Sequence, residues 1–315
     1  MAQNISDEDP RSLVAEICIA VSNDLQISYT IVLLVMNALL SIFASLGNTL
    51  ILFALHKESA LHPPSKLLFR CLALTDLLNG CISQPLYILY LVSLLTKHQD
   101  WRDDLCFYSA TFNNITTNTL CLVSLLTSTA ISIDRLLALN LGLRYRQVVT
   151  FKRTSLVLLF LWVVSIGSVS SSYPMLDYNK AEMLVGAAMC FGNLAISSFC
   201  YAKIIWKIRQ HQRRVQIINN QGTLCTDSVA LNNARYKKTV SSVLWIQLTL
   251  TICYLPLIVT IGLVSSKAPT STLYASGIAV TLVYLNSSLN PFLYCWKINE
   301  IRAAVKGIVS RLFPF

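Results

Sequence analysis

Apolar residues run along this chain in seven long blocks, separated by short polar stretches. The blocks cover 28–55, 66–95, 106–139, 154–174, 181–206, 238–266 and 272–296. A helix needs about 20 residues to cross a hydrocarbon core of roughly 30 Å. The pattern therefore predicts an all-α fold, a seven-transmembrane helix bundle over 28–296, preceded by a tail at 1–27. The connectors leave no room for a further folded domain, and no repeat or low-complexity tract interrupts them. The tail is mostly polar and has no basic flank before an apolar stretch, so it does not read as a cleaved signal peptide.

Composition agrees with lipid as the solvent. Hydrophobic residues make up 54% of the chain and charged residues 13%, about half the charged share of a soluble domain. The charges that remain are sorted. Arg11, Lys97, Arg102, Lys180 and Lys267 lie with the N-terminus and the even-numbered connectors, and the remaining twenty of the 25 basic residues lie on the other side. Basic residues concentrate on the cytoplasmic face. The expectation is a multi-pass plasma-membrane protein with its N-terminus outside. The net charge of +10 then reflects topology and attraction to anionic membrane lipid, and nucleic acid is not an expected partner. The outer side is acidic, with Asp7, Glu8, Asp9, Asp100, Asp103 and Asp104 among its residues. Asn4-Ile5-Ser6 in the outer tail is a glycosylation sequon at Asn4.

Polar residues inside the blocks carry the next information. A charge within the bilayer costs at least about 2.5–3.5 kcal/mol on insertion scales. Asp76, in "CLALTDLLNG", is the one acid deep within a block. Asn48, Ser124, Asn286, Ser287 and Asn290 are candidates for one polar cluster with it, because isolated polar groups in lipid are expensive. The plain alternative is interhelical hydrogen bonding without a switching role. Pro256 in "CYLPL" and Pro291 in "NPFLY" should each remove a backbone hydrogen bond and bend a helix. Such a bend is either a static kink or a hinge that a ligand biases.

These marks, taken in order, resemble the rhodopsin-like (class A) G-protein-coupled receptors. They are Gly47-Asn48, "LALTD" at 72–76, "DRL" at 134–136, Trp162, Tyr201, "CYLP" at 253–256 and "NPFLY" at 290–294. The resemblance implies a receptor for an extracellular ligand that promotes nucleotide exchange on a heterotrimeric G protein. It implies a coupling switch at Asp134, Arg135, Tyr201, Pro256, Asn290, Pro291 and Tyr294. It also implies an allosteric sodium ion held by Asp76, Ser124, Asn286, Ser287 and Asn290, and no other cofactor. Residues 297–315, beginning "KINEIRAAVKGIV", resemble the short amphipathic eighth helix of this family and its cytoplasmic tail.

Several positions depart from the family pattern. Leu136 stands where tyrosine is usual, and "ARYKKTVSSV" at the start of the sixth block offers no acid to lock Arg135. The resting state is thus expected to rest on the Asp134–Arg135 pair alone, with some basal activity. Asn193 replaces the usual fifth-block proline and Tyr254 the usual tryptophan. Cys106 resembles the first partner of the family's outer disulfide, yet the second outer connector, 172–180, has no cysteine. No bond to that connector is expected. Cys18 is the other outer thiol, and two outcomes stay open, a Cys18–Cys106 bridge or two free thiols. The short, cysteine-free connector and the missing proline look like the melanocortin, lysophospholipid, cannabinoid and adenosine branch.

By family spacing the ligand pocket falls on Thr117, Asn118, Cys121, Tyr254, Leu257, Ile258, Ile261, Val280 and Tyr284. Amine receptors of the family carry an aspartate where this chain has Thr117, or Asn113 when counted from Cys106. The expected ligand is therefore small and largely uncharged, not a biogenic amine. A basic peptide, steered by the acidic outer rim, is the alternative. A transporter should show paired repeats and broken helices, and a channel a filter or charged ring. Neither is present in the sequence. An enzyme is not expected, since His56, His62, His98 and His211 lie in connectors or at block ends without metal-ligand spacing.

Overall fold

The computed structural model describes residues 18, 21, 25–57, 62–96, 99–172, 180–220, 245, 248–261, 271–297 and 299–312. Among these there is no strand. The first span is the helix Ile27–Lys57, and the second runs from Pro63 to Leu95. The third span lies in Gln99–Leu141, the fourth in Phe151–Ser172 and the fifth in Lys180–Asn220. The sixth is described over Leu248–Ile261, the seventh is Ser271–Lys297, and a terminal helix covers Asn299–Leu312. Six of these helices are long and apolar enough to cross a membrane, and the described part of the sixth is a shorter apolar helix. The described helices fall on the seven predicted blocks. The fifth continues to Asn220, past its predicted limit at 206, because the polar residues beyond Trp206 keep good helix formers.

The second span has an irregularity that the apolar pattern did not suggest. Helix Pro63–Leu78 starts on two prolines, which are suited to a first turn. Asn79–Ser83 then forms a π-helical turn, and Gln84–Leu95 resumes the α-helix with Pro85 in its first turn. Proline has no N–H to give the preceding turn, and a π turn absorbs one extra residue at that point. The faces above and below Gly80 are thereby rotated relative to each other.

Side chains sort as lipid requires. On the fourth span Leu156, Leu159, Phe160 and Val163 are exposed, whereas Ser165 and Leu158 are buried. An apolar face of this kind is a lipid-facing surface in a membrane protein. The inner packing forms several clusters. One joins Ile51, Leu55, Leu72 and Tyr294 to Ile301 and Ile308 of the terminal helix. These two isoleucines are seven residues apart and share one face. Arg302 closes the junction by donating its Nε to the Cys295 carbonyl at 2.8 Å and an Nη to that of Trp296. A carbonyl end of a helix accepts such a cation readily.

Gly47 allows the first and seventh spans to meet. A Cβ there would lie 2.9 Å from Pro291 Cγ. At the outer end a disulfide joins Cys18 to Cys106, with Cα atoms 6.6 Å apart. Of the two outcomes left open by the sequence, the bridge is the one formed. Asn4 and the connector 173–179 lie outside the described residues.

Candidate functional site

At the cytoplasmic end of the third span, Asp134 is buried and Arg135 is half-exposed beside it. Arg135 Nη2 lies 3.8 Å from Asp134 Oδ2, a loose pair. The carboxylate has firmer partners. Tyr145 donates its hydroxyl to Oδ1 at 2.7 Å, and Ser65 donates to Oδ2 at 2.9 Å. Burial, the largest cause, raises the Tyr145 hydroxyl above the ordinary phenol range. The Arg135 guanidinium lies over the Phe69 ring, 5.6 Å from its centroid, within cation–π range. Phe69 in turn meets Tyr294 edge-on at 5.4 Å. The expectation that the resting state rests on the Asp134–Arg135 pair alone is therefore corrected. Ser65 and Tyr145 hold the acid, and Phe69 covers the base. The start of the sixth span, 234–243, lies outside the described residues.

Leu136 has an evident packing role. It lies against the buried cluster of Tyr201, Ile204 and Ile208 on the fifth span, where a methyl-rich side chain suits apolar neighbours. Higher on the same pair of spans, Thr129 Oγ1 bonds Asn193 Oδ1 at 3.2 Å and Ser197 Oγ at 3.1 Å. Asn193 thus supplies a side-chain tie where the family pattern expects a proline.

The polar cluster forms around Asp76. Asn290 donates to Asp76 Oδ2 at 2.6 Å, and Asn79 donates to Ser287 Oγ at 3.4 Å. Asn48 donates to the Ala44 and Ser287 carbonyls. Ser124 and Asn286 are buried. Asp76 Oδ1, Ser124 Oγ, Asn48 Oδ1, Asn79 Oδ1 and the Tyr294 hydroxyl have no hydrogen-bond partner among the described residues. Asn79 was not singled out in the sequence, although it lies one turn after Asp76 on the same helix. One carboxylate oxygen and several neutral oxygens form a donor set suited to a hard, singly charged cation.

The predicted pocket residues divide into two groups. Thr117, Tyr284 and Asn113 form a closed triangle. Thr117 Oγ1 lies 2.7 Å from the Tyr284 hydroxyl, and the two oxygens lie 3.0 and 2.9 Å from Asn113 Oδ1, so their two protons make two of the three contacts hydrogen bonds. Val280 packs near Tyr284. Cys121, Tyr254, Leu257 and Ile258 form a separate apolar cluster with Leu125, Leu194 and Val283. Tyr254 is buried, and Pro256 and Ile261 lie in the same described stretch of the sixth span. Asn118 joins neither group. It is exposed and donates to Asn114 Oδ1 at 2.7 Å, because it stands about 100° around the helix from Thr117. Asn113 is the addition, four residues before Thr117 and hence on its face.

The family described as "7 transmembrane receptor (rhodopsin family)" matches residues 47–192 and 170–294. The chain is 26% identical over 297 residues to trace amine-associated receptor 9 of Rattus norvegicus, covering 87% of this chain and 85% of that protein. It is 24% identical to the Homo sapiens protein of the same name over 293 residues, covering 86% of this chain and 82% of that protein.

Proposed function

The chain belongs to the rhodopsin family of seven-transmembrane receptors, and from that premise we propose that it binds a small, largely uncharged extracellular molecule and couples that event to nucleotide exchange on a heterotrimeric G protein. One observation carries the coupling half. Arg135 is held only loosely by Asp134, whose carboxylate keeps Ser65 and Tyr145 as separate partners. The arginine can therefore leave without stranding a buried charge, since two hydrogen bonds continue to hold the acid. The orientation that suits this reading has the N-terminus outside a plasma membrane and Arg135 facing the cytoplasm. Co-expression with a panel of G proteins tests it. Exchange above background with at least one G protein, lost in Arg135→Ala at equal surface level, is the expected result. Ion current or solute flux in place of exchange would overturn it.

The uncharged ligand is supported by the Asn113–Thr117–Tyr284 triangle, which offers hydroxyl and amide groups and no carboxylate. A second reading, an amine ligand, is favoured by the relatives named as trace amine-associated receptors. An ammonium would then find Asp104 and the Arg102-paired Asp103 at the outer end of the third span. Paired assays of an amine and its neutral alcohol isostere separate the two readings.

A sodium ion on Asp76, Ser124, Ser287, Asn286 and Asn290 belongs to the same proposal. It is supported by the unpartnered Asp76 Oδ1 and Ser124 Oγ. An ion that binds the resting state more tightly must lower agonist affinity as its concentration rises. Basal exchange should be lower in sodium than in equal N-methylglucamine, and Asp76→Asn should remove the difference. Coincident curves for the natural sequence would exclude the ion.

A further inference from the structure

His62 is the last residue before the helix Pro63–Leu78, with φ −58° and ψ 132°. A residue before proline is held to such an extended backbone, so the ring is carried on a stiff turn. Its centroid lies 5.2 Å from that of the Tyr145 ring, with the two planes tilted by 50°. Tyr145 opens the short helix Tyr145–Val148, and its hydroxyl is the donor to Asp134 Oδ1. Ser65, three residues after His62 and one turn along the same helix, donates to the other carboxylate oxygen. An imidazole thus stands against the side chain that ties the buried acid of the switch.

The imidazole makes no capping bond to its own helix. Its Nδ1 is buried and has no hydrogen-bond partner among the described residues. Buried polar atoms normally have one. The elements around it carry Tyr145 and the exposed Arg146 on the short helix, Asp134 and Arg135 on the third span, Lys66 one turn along its own helix, and the exposed His56 and Lys57 at the end of the first span. Glu58 lies outside the described residues. The balance of these charges changes with the switch. While Arg135 stays beside Asp134, the two charges offset each other, and a further cation near them gains little. Once Arg135 departs, the buried carboxylate has only neutral partners, Ser65 and Tyr145. A nearby cation is then favoured, and the Tyr145 ring adds a cation–π contact to it.

We propose that His62 is a positioning residue of the coupling switch: its ring sets Tyr145 against Asp134, and a proton taken up from cytoplasmic water on Nδ1 stabilises the state in which Arg135 has left. The inference rests on the reading of Arg135 as the coupling arginine. The sign follows from linkage. The released state binds the proton more tightly, so a fall in pH shifts the switch toward release. Imidazole is the side chain whose charge ordinarily changes between about pH 5 and 8, which places the effect within reach of cytoplasmic pH.

The test uses the full-length receptor in lipid nanodiscs with isotope-labelled imidazoles. Proton titration by nuclear magnetic resonance gives one curve per histidine, and His62→Phe identifies the curve that belongs to His62. Its midpoint should rise in Arg135→Ala, which imitates departure of the arginine, and fall in Asp134→Asn. Midpoints that do not move in either variant would overturn the proposal. This readout needs no G protein, so it decides the proposal even if the coupling reading fails for want of nucleotide exchange. Where exchange is measured, basal exchange divided by that of His62→Phe at the same pH should rise about fivefold between pH 8 and pH 6, and His62→Gln serves as the reference if the phenylalanine variant does not fold. The division removes the pH dependence of the G protein itself. The same rise should persist in Glu58→Gln, and its loss there would assign the titration to Glu58 and overturn the role of His62. His62→Ala should lower exchange at pH 8 as Tyr145→Phe does, and the double variant should be no lower than either. Additive losses would show that His62 does not act through Tyr145.

Discussion

Tyr145 is a single residue in a short helix after the third span, yet its hydroxyl reaches both Asp134 and Ser65. A hydrogen bond to a charged acceptor contributes about 1.5–3 kcal/mol. Tyr145→Phe should therefore leave the acid one partner short when Arg135 departs, tighten the Asp134–Arg135 pair and lower basal exchange by about tenfold. Asp134→Asn, which frees the arginine, should act in the opposite direction. Arg135→Ala should reach the surface and support no exchange. These three measurements in one nucleotide-exchange assay distinguish a switch from a structural ion pair, in which all three variants would instead lower surface level together.

Among elements, the approach of the first span to the seventh depends on one missing side chain. Gly47 lies against Pro291, so Gly47→Val would push the seventh span outward at that proline. Overpacking of this kind costs about 1–3 kcal/mol. The purified variant should show a lower thermal midpoint, while Gly167→Val serves as control, since a Cβ at Gly167 meets nothing within 4 Å. Equal midpoints would show that the two helices move apart without strain. The π turn at Asn79–Ser83 is a second element-scale feature. It sets Asn79 facing Ser287 below and Tyr87 facing Tyr284 above, which a regular helix would place on different registers.

For the whole molecule, the Cys18–Cys106 bridge links chain positions 88 residues apart. It holds Cys18, with Val21 and Leu25, at the outer end of the bundle, where Cys18 and Cys106 are buried with Tyr87, Leu91 and Tyr284. Removing a disulfide typically costs about 2–5 kcal/mol. Cys18→Ser and Cys106→Ser should lower the thermal midpoint alike, and the double variant should be no worse than either, because both remove one bond. Additive losses would indicate that each thiol has its own role. Non-reducing peptide mapping should recover the linked pair directly.

The sequence by itself determined the helical bundle and where its spans fall along the chain, though not where each helix ends. Lipid imposes a length and a polarity on each span that can be read residue by residue, and Asp134, Asp76 and Pro291 stand out against that background. It also singled out most of the polar cluster, because a buried acid in an apolar block has few explanations. Only the tertiary structure decided which partner each group takes. Ser65, Phe69 and Tyr145 are ordinary residues in their own segments and acquire meaning because helix packing carries them to Asp134 and Arg135. Thr117 and Asn118 are adjacent in sequence and equally polar, yet one meets Tyr284 and the other is exposed. The choice between them is a matter of about 100° of helix rotation, set by neighbours far away in the chain. The pairing of Cys18 with Cys106 is of the same kind. It follows from long-range contacts, which hydrophobic periodicity does not encode.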